Sequence, residues 1–129
     1  EVISDNTVVP ATYTVATEVF DSGASYDAAL SAAQANYNTR NVVVVDITVK
    51  DDKGVNVTQL TDYVEVKVDI PSTYVIQPGN TVVVYYLNNS GVLEECETVY
   101  HDEDPNNRYV TFKTNHFSVY VLVFVIVYF

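Results

Sequence analysis

The sequence predicts a mainly β fold, an antiparallel sandwich or barrel with one short α-helix, and three observations lead to this expectation. From Asn41 onward, apolar and polar residues alternate in short segments that turn residues separate at regular spacing. These segments are rich in valine, threonine and tyrosine, which favour strands. Only about residues 25–37 are alanine-rich with a helical pattern. We therefore expect about seven or eight strands and one helix.

The first residues are predicted to lead into the domain. Residues 1–11 contain five polar residues and Pro10, so we expect a lead-in or linker, followed by a single module over residues 12–129. The segment Thr12–Phe20, TYTVATEVF, predicts the first strand. Because the chain begins with Glu1 rather than methionine, we expect a mature product or a segment of a longer polypeptide.

The helix is predicted to follow the turn residues DSG. Ser25 is positioned to cap it, and Asp27 falls in its first turn, where a negative charge is favoured. Leu30, Ala33 and Tyr37 recur on one face. We expect a helix of about three turns that packs over an edge or end of the sheets.

The later segments indicate how the strands face their surroundings. In NVVVVDITVK, residues 41–50, one face is wholly apolar and the other turns polar midway. In DYVEVKVDI, residues 62–70, apolar and polar residues alternate cleanly, which predicts a sheet with one face in water. The turn NNSG separates Thr81–Leu87 from Val92–Tyr100 and predicts an antiparallel hairpin.

Charge and cysteine content exclude some classes of function. Seventeen acidic and six basic residues give a net charge of −11, which disfavours nucleic acid and anionic lipid as partners. Neutral, cationic or protein partners remain. The single Cys96 cannot form an internal disulfide, and Glu94, Glu95 and Glu97 should raise the pKa of its thiol by like-charge repulsion. We expect no reactive nucleophile there.

Two segments resemble a known kind of module. They are the hairpin Tyr86–Glu95, YLNNSGVLEE, and the segment Asn115–Tyr120, NHFSVY. The chain from about Thr12 to Val123 resembles an Ig-like β-sandwich accessory module of secreted, surface or cellulosome-associated proteins of Gram-positive gut and rumen bacteria. The ending is also similar to eukaryotic ZU5-type β domains. The resemblance implies structural roles for four residues: His116, Phe117, Ser118 and Tyr120.

The resemblance also implies a function and a location. Such modules act as non-catalytic spacers, stabilisers or binding units, so we expect a secreted, cell-surface location and no cofactor. The partners would be neighbouring domains of a longer polypeptide or another protein. No enzyme is expected, since a Ser118–His116 pair lacks a third orienting group, and His116 is expected to bond a turn backbone.

An alternative function is carbohydrate binding. The chain contains 11 tyrosines, and Tyr85, Tyr100 and Tyr109 could form an exposed platform on which a polysaccharide stacks. The competing interpretation is that tyrosine is simply a good strand former. The sequence leaves both open.

The acidic segment HDEDPNN suggests a metal-binding loop. Asp102, Asp104 and Asn106 offer oxygen ligands at alternating positions, as Ca²⁺ requires. An EF-hand is excluded, because no glycine occupies its sixth position and no glutamate its twelfth. A looser Ca²⁺ site and a solvated acidic loop both remain.

The uncharged tail after His116 is predicted to be a strand rather than an anchor. Phe117 to Phe129 are thirteen residues, whereas a membrane-spanning helix needs about 20. We expect one set of residues to point inward: Phe117, Val119, Val121 and Val123. The other apolar face must then be covered by the helix, a second chain or a neighbouring domain, which predicts an interface at Phe124, Ile126 and Tyr128.

Overall fold

The computed structural model describes residues 2, 3, 5, 7–35, 42–74 and 80–126 and shows a β-sandwich with one helix. The elements, in chain order, are β1 (Thr14–Phe20), α1 (Ala24–Gln34), β2 (Val42–Lys50), β3 (Asn56–Val57), β4 (Gln59–Asp69), β5 (Asn80–Leu87), β6 (Leu93–Glu95), β7 (Thr98–His101), β8 (Tyr109–His116) and β9 (Val119–Ile126). The predicted mainly β architecture is confirmed.

Two antiparallel sheets face each other. The larger sheet has the order β1-β2-β9-β5-β6, with β3 added beside β2, and the smaller sheet has the order β4-β8-β7. Apolar side chains from both inner faces form the main core, for example Val45 and Ile47 from β2, Val66 from β4 and Phe112 from β8. The opposite face of the smaller sheet carries Tyr63, Glu65, Lys67 and Asp69 in water, as the alternation in β4 predicts.

The strand order matches that of an immunoglobulin-type sandwich except at one position. Such sandwiches place strands A, B, E and D in one sheet and C, F and G in the other. Here the smaller sheet corresponds to A, B, E and D: Ile3, which bridges to Val66, takes the place of A, and β4, β8 and β7 follow it. In the larger sheet, β5, β9 and β2 take the places of C, F and G. The place of the last strand is therefore occupied by β2, which comes near the start of the chain.

The helix forms a third layer on the outer face of the larger sheet. Ala29 and Ala33 are fully buried against Val44 of β2 and Val121 and Val123 of β9. Val42 and Val44 of β2 lie in this second core, whereas Asp46 and Thr48 on the same face are only half-buried. The helix therefore covers a sheet face, and not an edge or end as we expected.

The start of the helix differs from the prediction. Gly23 occupies the cap position with φ of 96°, a region that favours glycine, and no side chain caps the helix. Ser25 lies inside the helix, so its assignment as the cap was wrong, whereas Asp27 is in the first turn as predicted. Tyr37 lies outside the described residues.

Residues before Thr12 contribute to the core, in contrast to the expected lead-in. Ile3 and Val9 are buried in the cluster between the sheets. The backbone N–H of Lys67 donates to the carbonyl of Val2 at 2.8 Å, so this segment also covers part of the free edge of β4. In the sequence, the polar residues 4–7 separate Ile3 from Val9, so no apolar pattern indicates that this segment contributes to the core.

The second strand of the predicted hairpin is divided between the two sheets. β6 pairs with β5 in the larger sheet, whereas β7 pairs with β8 in the smaller one. Between them, the N–H of Cys96 donates to the carbonyl of Val84 at 2.9 Å, and the N–H of Val84 donates to Thr98 Oγ1 at 3.1 Å. The chain thus crosses from one sheet to the other at Cys96 and Glu97.

The tail forms the central strand β9, with its faces opposite to those predicted. Tyr120, Leu122 and Phe124 belong to the core between the sheets, whereas the odd-numbered valines 119–125 face the helix. Phe117 lies in the core, but it precedes the strand, and the chain bends at Ser118. The bend interrupts the alternation, so the strand residues that were predicted to share the inward face of Phe117 point to the helix instead.

The predicted interface at the tail is only partly described. Phe124 is half-buried and contacts Tyr74, with ring centroids 6.0 Å apart. Ile126 pairs its backbone with Asn80. The side chain of Ile126 and the whole of Tyr128 lie outside the described residues.

Candidate functional site

A cleft of about 610 Å³ lies at the end of the sandwich where the chain crosses between the sheets. Its walls come from β4, β5, β6, β8 and the Cys96–Glu97 link. The residues that line it are Tyr63, Tyr86, Glu94, Glu95, Cys96, Glu97, Lys113, Thr114, Asn115 and His116. The cleft is large enough for a small ligand or a single side chain of a partner.

The floor of the cleft rests on a buried tyrosine. Tyr120 is 0% exposed, its hydroxyl donates to the backbone carbonyl of His116, and the same hydroxyl lies 2.7 Å from Thr114 Oγ1. This is the arrangement of a tyrosine corner, in which a tyrosine at the start of a strand bonds the backbone just upstream. It joins β8 to β9 where the chain passes between sheets. Burial raises the pKa of Tyr120 well above its usual range, so the hydroxyl stays protonated.

His116 forms part of the cleft wall. Its ring packs on that of Tyr86, with centroids 4.3 Å apart, and its Nδ1 lies 3.3 Å from the Tyr120 hydroxyl. The ring therefore bonds a side chain, whereas our expectation placed it on a turn backbone. Phe117 lies in the core, and Ser118 accepts a bond from the N–H of Ile47 through its carbonyl at 2.9 Å.

Cys96 is a half-buried wall residue. Burial is the main reason that the pKa of its thiol rises to about 11, and Glu94 and Glu95 add to the rise. The sequence predicted a raised pKa for this thiol, and the direction is confirmed. The main cause differs, because burial contributes more than the charge repulsion that we expected. At neutral pH the thiol is protonated, so it is a poor nucleophile.

The charges around the cleft are mainly negative. Lys113 Nζ lies 3.8 Å from Glu97, and Asn88 Nδ2 donates to Glu94 Oε2 at 3.0 Å. Within the part of the chain that the structure describes, Lys113 and Glu97 form the only ion pair besides the contact of His101 with Glu103, which is an ion pair only when the imidazole is protonated. Glu94 and Glu95 thus have no cationic partner there.

The three tyrosines that could have formed a platform are not brought together. Tyr85 is 4% exposed and lies beneath the helix in the larger sheet. Tyr100 packs against the core between the sheets. Tyr109 lies on the outer face of the smaller sheet, where His101 stacks on its ring at 4.4 Å and Lys67 Nζ lies 4.4 Å from its centroid.

The acidic loop is organised as a turn. Asp104 accepts bonds from the backbone N–H of Asn106 at 3.0 Å and from Asn107 Nδ2 at 2.8 Å, and these bonds lower the pKa of its carboxyl group. Asp102 and Asn106 are exposed. Among the described residues, no group of three or more His, Cys, Asp or Glu side chains is arranged to hold a metal ion.

Sequence reasoning missed the aromatic residues of the cleft. Tyr63 lies where the pairing of β4 with β8 shifts register, an irregularity that can redirect a side chain, and it is 67% exposed. Tyr86 pairs with Glu94 across the hairpin, which the NNSG turn could have indicated. Their approach to His116 depends on how the two sheets pack.

Comparisons with protein-family models, with curated proteins and with solved structures found no match to this chain. Among the helices described, none has the length and apolar character needed to cross a membrane.

Proposed function

We propose that this chain is a non-catalytic structural module of a larger secreted or surface-attached protein, a spacer that carries mechanical load between its neighbours. The observation that carries the proposal is the position of β9. This strand is central in the larger sheet and pairs with β2 on one side and β5 on the other.

The first residue of β1, Thr14, and the last residue of β9, Ile126, lie at opposite ends of the larger sheet. β1 and β9 both run antiparallel to β2, so they run parallel to each other. Thr14 lies level with Lys50, and Ile126 lies three residues beyond the level of Val42. These points are separated by about 37 Å along the strands, at about 3.4 Å per residue. A pull between them shears whole ladders, because many hydrogen bonds must break together.

The groups that could take part in chemistry have structural partners instead. Tyr120, Thr114 and His116 form the corner between the sheets, and Asp104 closes a turn. Placement of the module outside the cell rests on the resemblance of its hairpin and NHFSVY segments to surface modules.

A polysaccharide platform is a weaker candidate on this geometry. Of the three tyrosines considered for it, Tyr85 is buried and Tyr100 packs inward. The ring of Tyr109 already contacts His101 and Lys67. We therefore favour the structural role.

Single-molecule force spectroscopy tests the proposal. Both arms use a Cys96→Ser background and a carboxyl-terminal handle, with the second handle at Thr14→Cys or at Asn80→Cys. Asn80 pairs directly with Ile126, so pulling there opens the β5–β9 ladder one pair at a time. We expect a higher unfolding force from the Thr14 handle. Equal forces in the two arms, or a lower force from Thr14, would overturn the load-bearing role.

A further inference from the structure

We propose that the cleft at the β6–β7 crossing binds a guanidinium group, such as the arginine side chain of a partner segment. This goes beyond the spacer role, which needs no ligand. The inference combines the shape of the cleft, its aromatic walls and its unbalanced charge.

The aromatic walls provide surfaces for a planar cation. Tyr86 is held by its contact with His116, and Tyr63 stands exposed on the β4 side of the cleft. Cations are attracted to the faces of such rings, and a guanidinium group also stacks flat on them. Since Tyr86 is fixed in place, little conformational entropy is lost when a ligand contacts it.

The charge of the cleft favours a cation over an anion or a neutral sugar. Glu94, Glu95 and Glu97 line the cleft, and Lys113, the one lysine or arginine among the described residues that line it, pairs with Glu97. Both partners of that pair are exposed, so the pair is weak. Glu94 accepts a hydrogen bond from the neutral side chain of Asn88, which leaves its charge uncompensated, and Glu95 adds a second negative charge next to it. The net charge of −11 adds long-range attraction for cations.

The thiol of Cys96 lies next to the same two carboxylates. Burial is the first cause of its raised pKa, but Glu94 and Glu95 contribute in the same direction. The two carboxylates therefore disfavour a further negative charge at this wall.

A guanidinium group fits this site better than a metal ion does. Its five N–H donors lie in one plane and can bond several carboxylate oxygens while the flat face contacts a tyrosine. A divalent metal ion requires several ligands converging on one point, and the described residues contain no such cluster of His, Cys, Asp or Glu.

The test is an NMR titration of the whole chain, labelled with ¹⁵N, at low ionic strength. The probe is N-acetyl-argininamide, and the control is N-acetyl-citrullinamide, a neutral molecule of nearly the same shape. We expect saturable shifts of the amide signals of Tyr86 and residues 94–97 with the arginine probe alone. Raising the salt concentration should weaken binding, because both partners are charged.

Variants locate the binding site. The double variant Glu94→Gln/Glu95→Gln should weaken binding about tenfold, since each exposed ion pair is worth about two- to fivefold. Tyr63→Ala should weaken it about threefold. The matched control, Asp102→Asn/Glu103→Gln, removes the same charge from the loop between β7 and β8 and should change affinity less than about twofold.

Three results would overturn the inference. One is the absence of saturable shifts with the arginine probe, and another is equal shifts with the neutral probe. The third is equal weakening by the cleft and loop variants, which would assign the effect to net charge. None of these bears on the unfolding force, so the spacer role is tested separately.

Discussion

Replacing Tyr120 with phenylalanine tests whether the tyrosine corner stabilises the connection between the sheets. The substitution removes one hydroxyl and leaves the ring in place among Phe112, Tyr86 and the rest of the core. The carbonyl of His116 then loses a donor, and Thr114 Oγ1 loses a neighbour at 2.7 Å.

The expected cost follows from this local arrangement. The His116 carbonyl keeps the Thr114 hydroxyl as a donor at 3.1 Å, so it is not left without a partner. One lost hydrogen bond in a buried site costs about 0.5–1.5 kcal/mol, and a group left poorly satisfied costs about 1–3 kcal/mol. We therefore expect a loss of about 2 kcal/mol in the free energy of unfolding. For a domain of this size, that corresponds to a fall in Tm of about 6–10 °C.

The assay is urea denaturation of Tyr120→Phe, Thr114→Val and the double variant. Because the two hydroxyls share one network, the double-mutant cycle should give a coupling energy of about 1 kcal/mol. Tyr63→Phe is the control, since its exposed hydroxyl should matter by less than about 0.5 kcal/mol. A loss below about 0.5 kcal/mol for Tyr120→Phe, or strict additivity, would refute the corner as a stabilising element.

Two further predictions concern the cleft wall and the helix. The pKa of the Cys96 thiol is raised from 9.0 to about 11 in the folded state. The unfolded chain therefore releases this proton first as pH rises, and stability should fall between pH 9 and about 11. Denaturation measured over this pH range should show a smaller decline for Cys96→Ala, and an unchanged profile would contradict the assignment. Ala33 is 0% exposed between the helix and the outer face of the larger sheet. A larger side chain would overpack this contact, so Ala33→Leu should destabilise the protein by about 1–3 kcal/mol, as measured by thermal unfolding. Ala28→Leu on the exposed helix face is the matched control, and equal effects of the two would contradict the proposed helix packing.

The helix layer also explains the unusual strand composition. In a two-layer sandwich, the outer face of each sheet would meet water, and strands would alternate throughout. Here Val42 and Val44 on β2, with Val121 and Val123 on β9, are buried on the outer face because α1 covers them. The apolar tail is thus a strand with covered faces over its described length, and not an exposed strip.

The sequence by itself determined the elements whose signals are local. The alternation in residues 62–70 predicted a strand with one wet face, the alanines predicted the helix, and NNSG predicted the hairpin. These predictions succeed because strand period, helix propensity and turn chemistry act between residues close in the chain.

The tertiary structure alone decided the features that depend on distant contacts. Cys96 lies where an apparently continuous strand changes sheets, and the bend at Ser118 reverses which side of the tail faces the core. Tyr85 was separated from Tyr109, while Tyr63 and Tyr86 came to line one cleft. A one-residue shift in phase exchanges the two faces of a strand at little local cost, so only packing against the other layers fixes the choice.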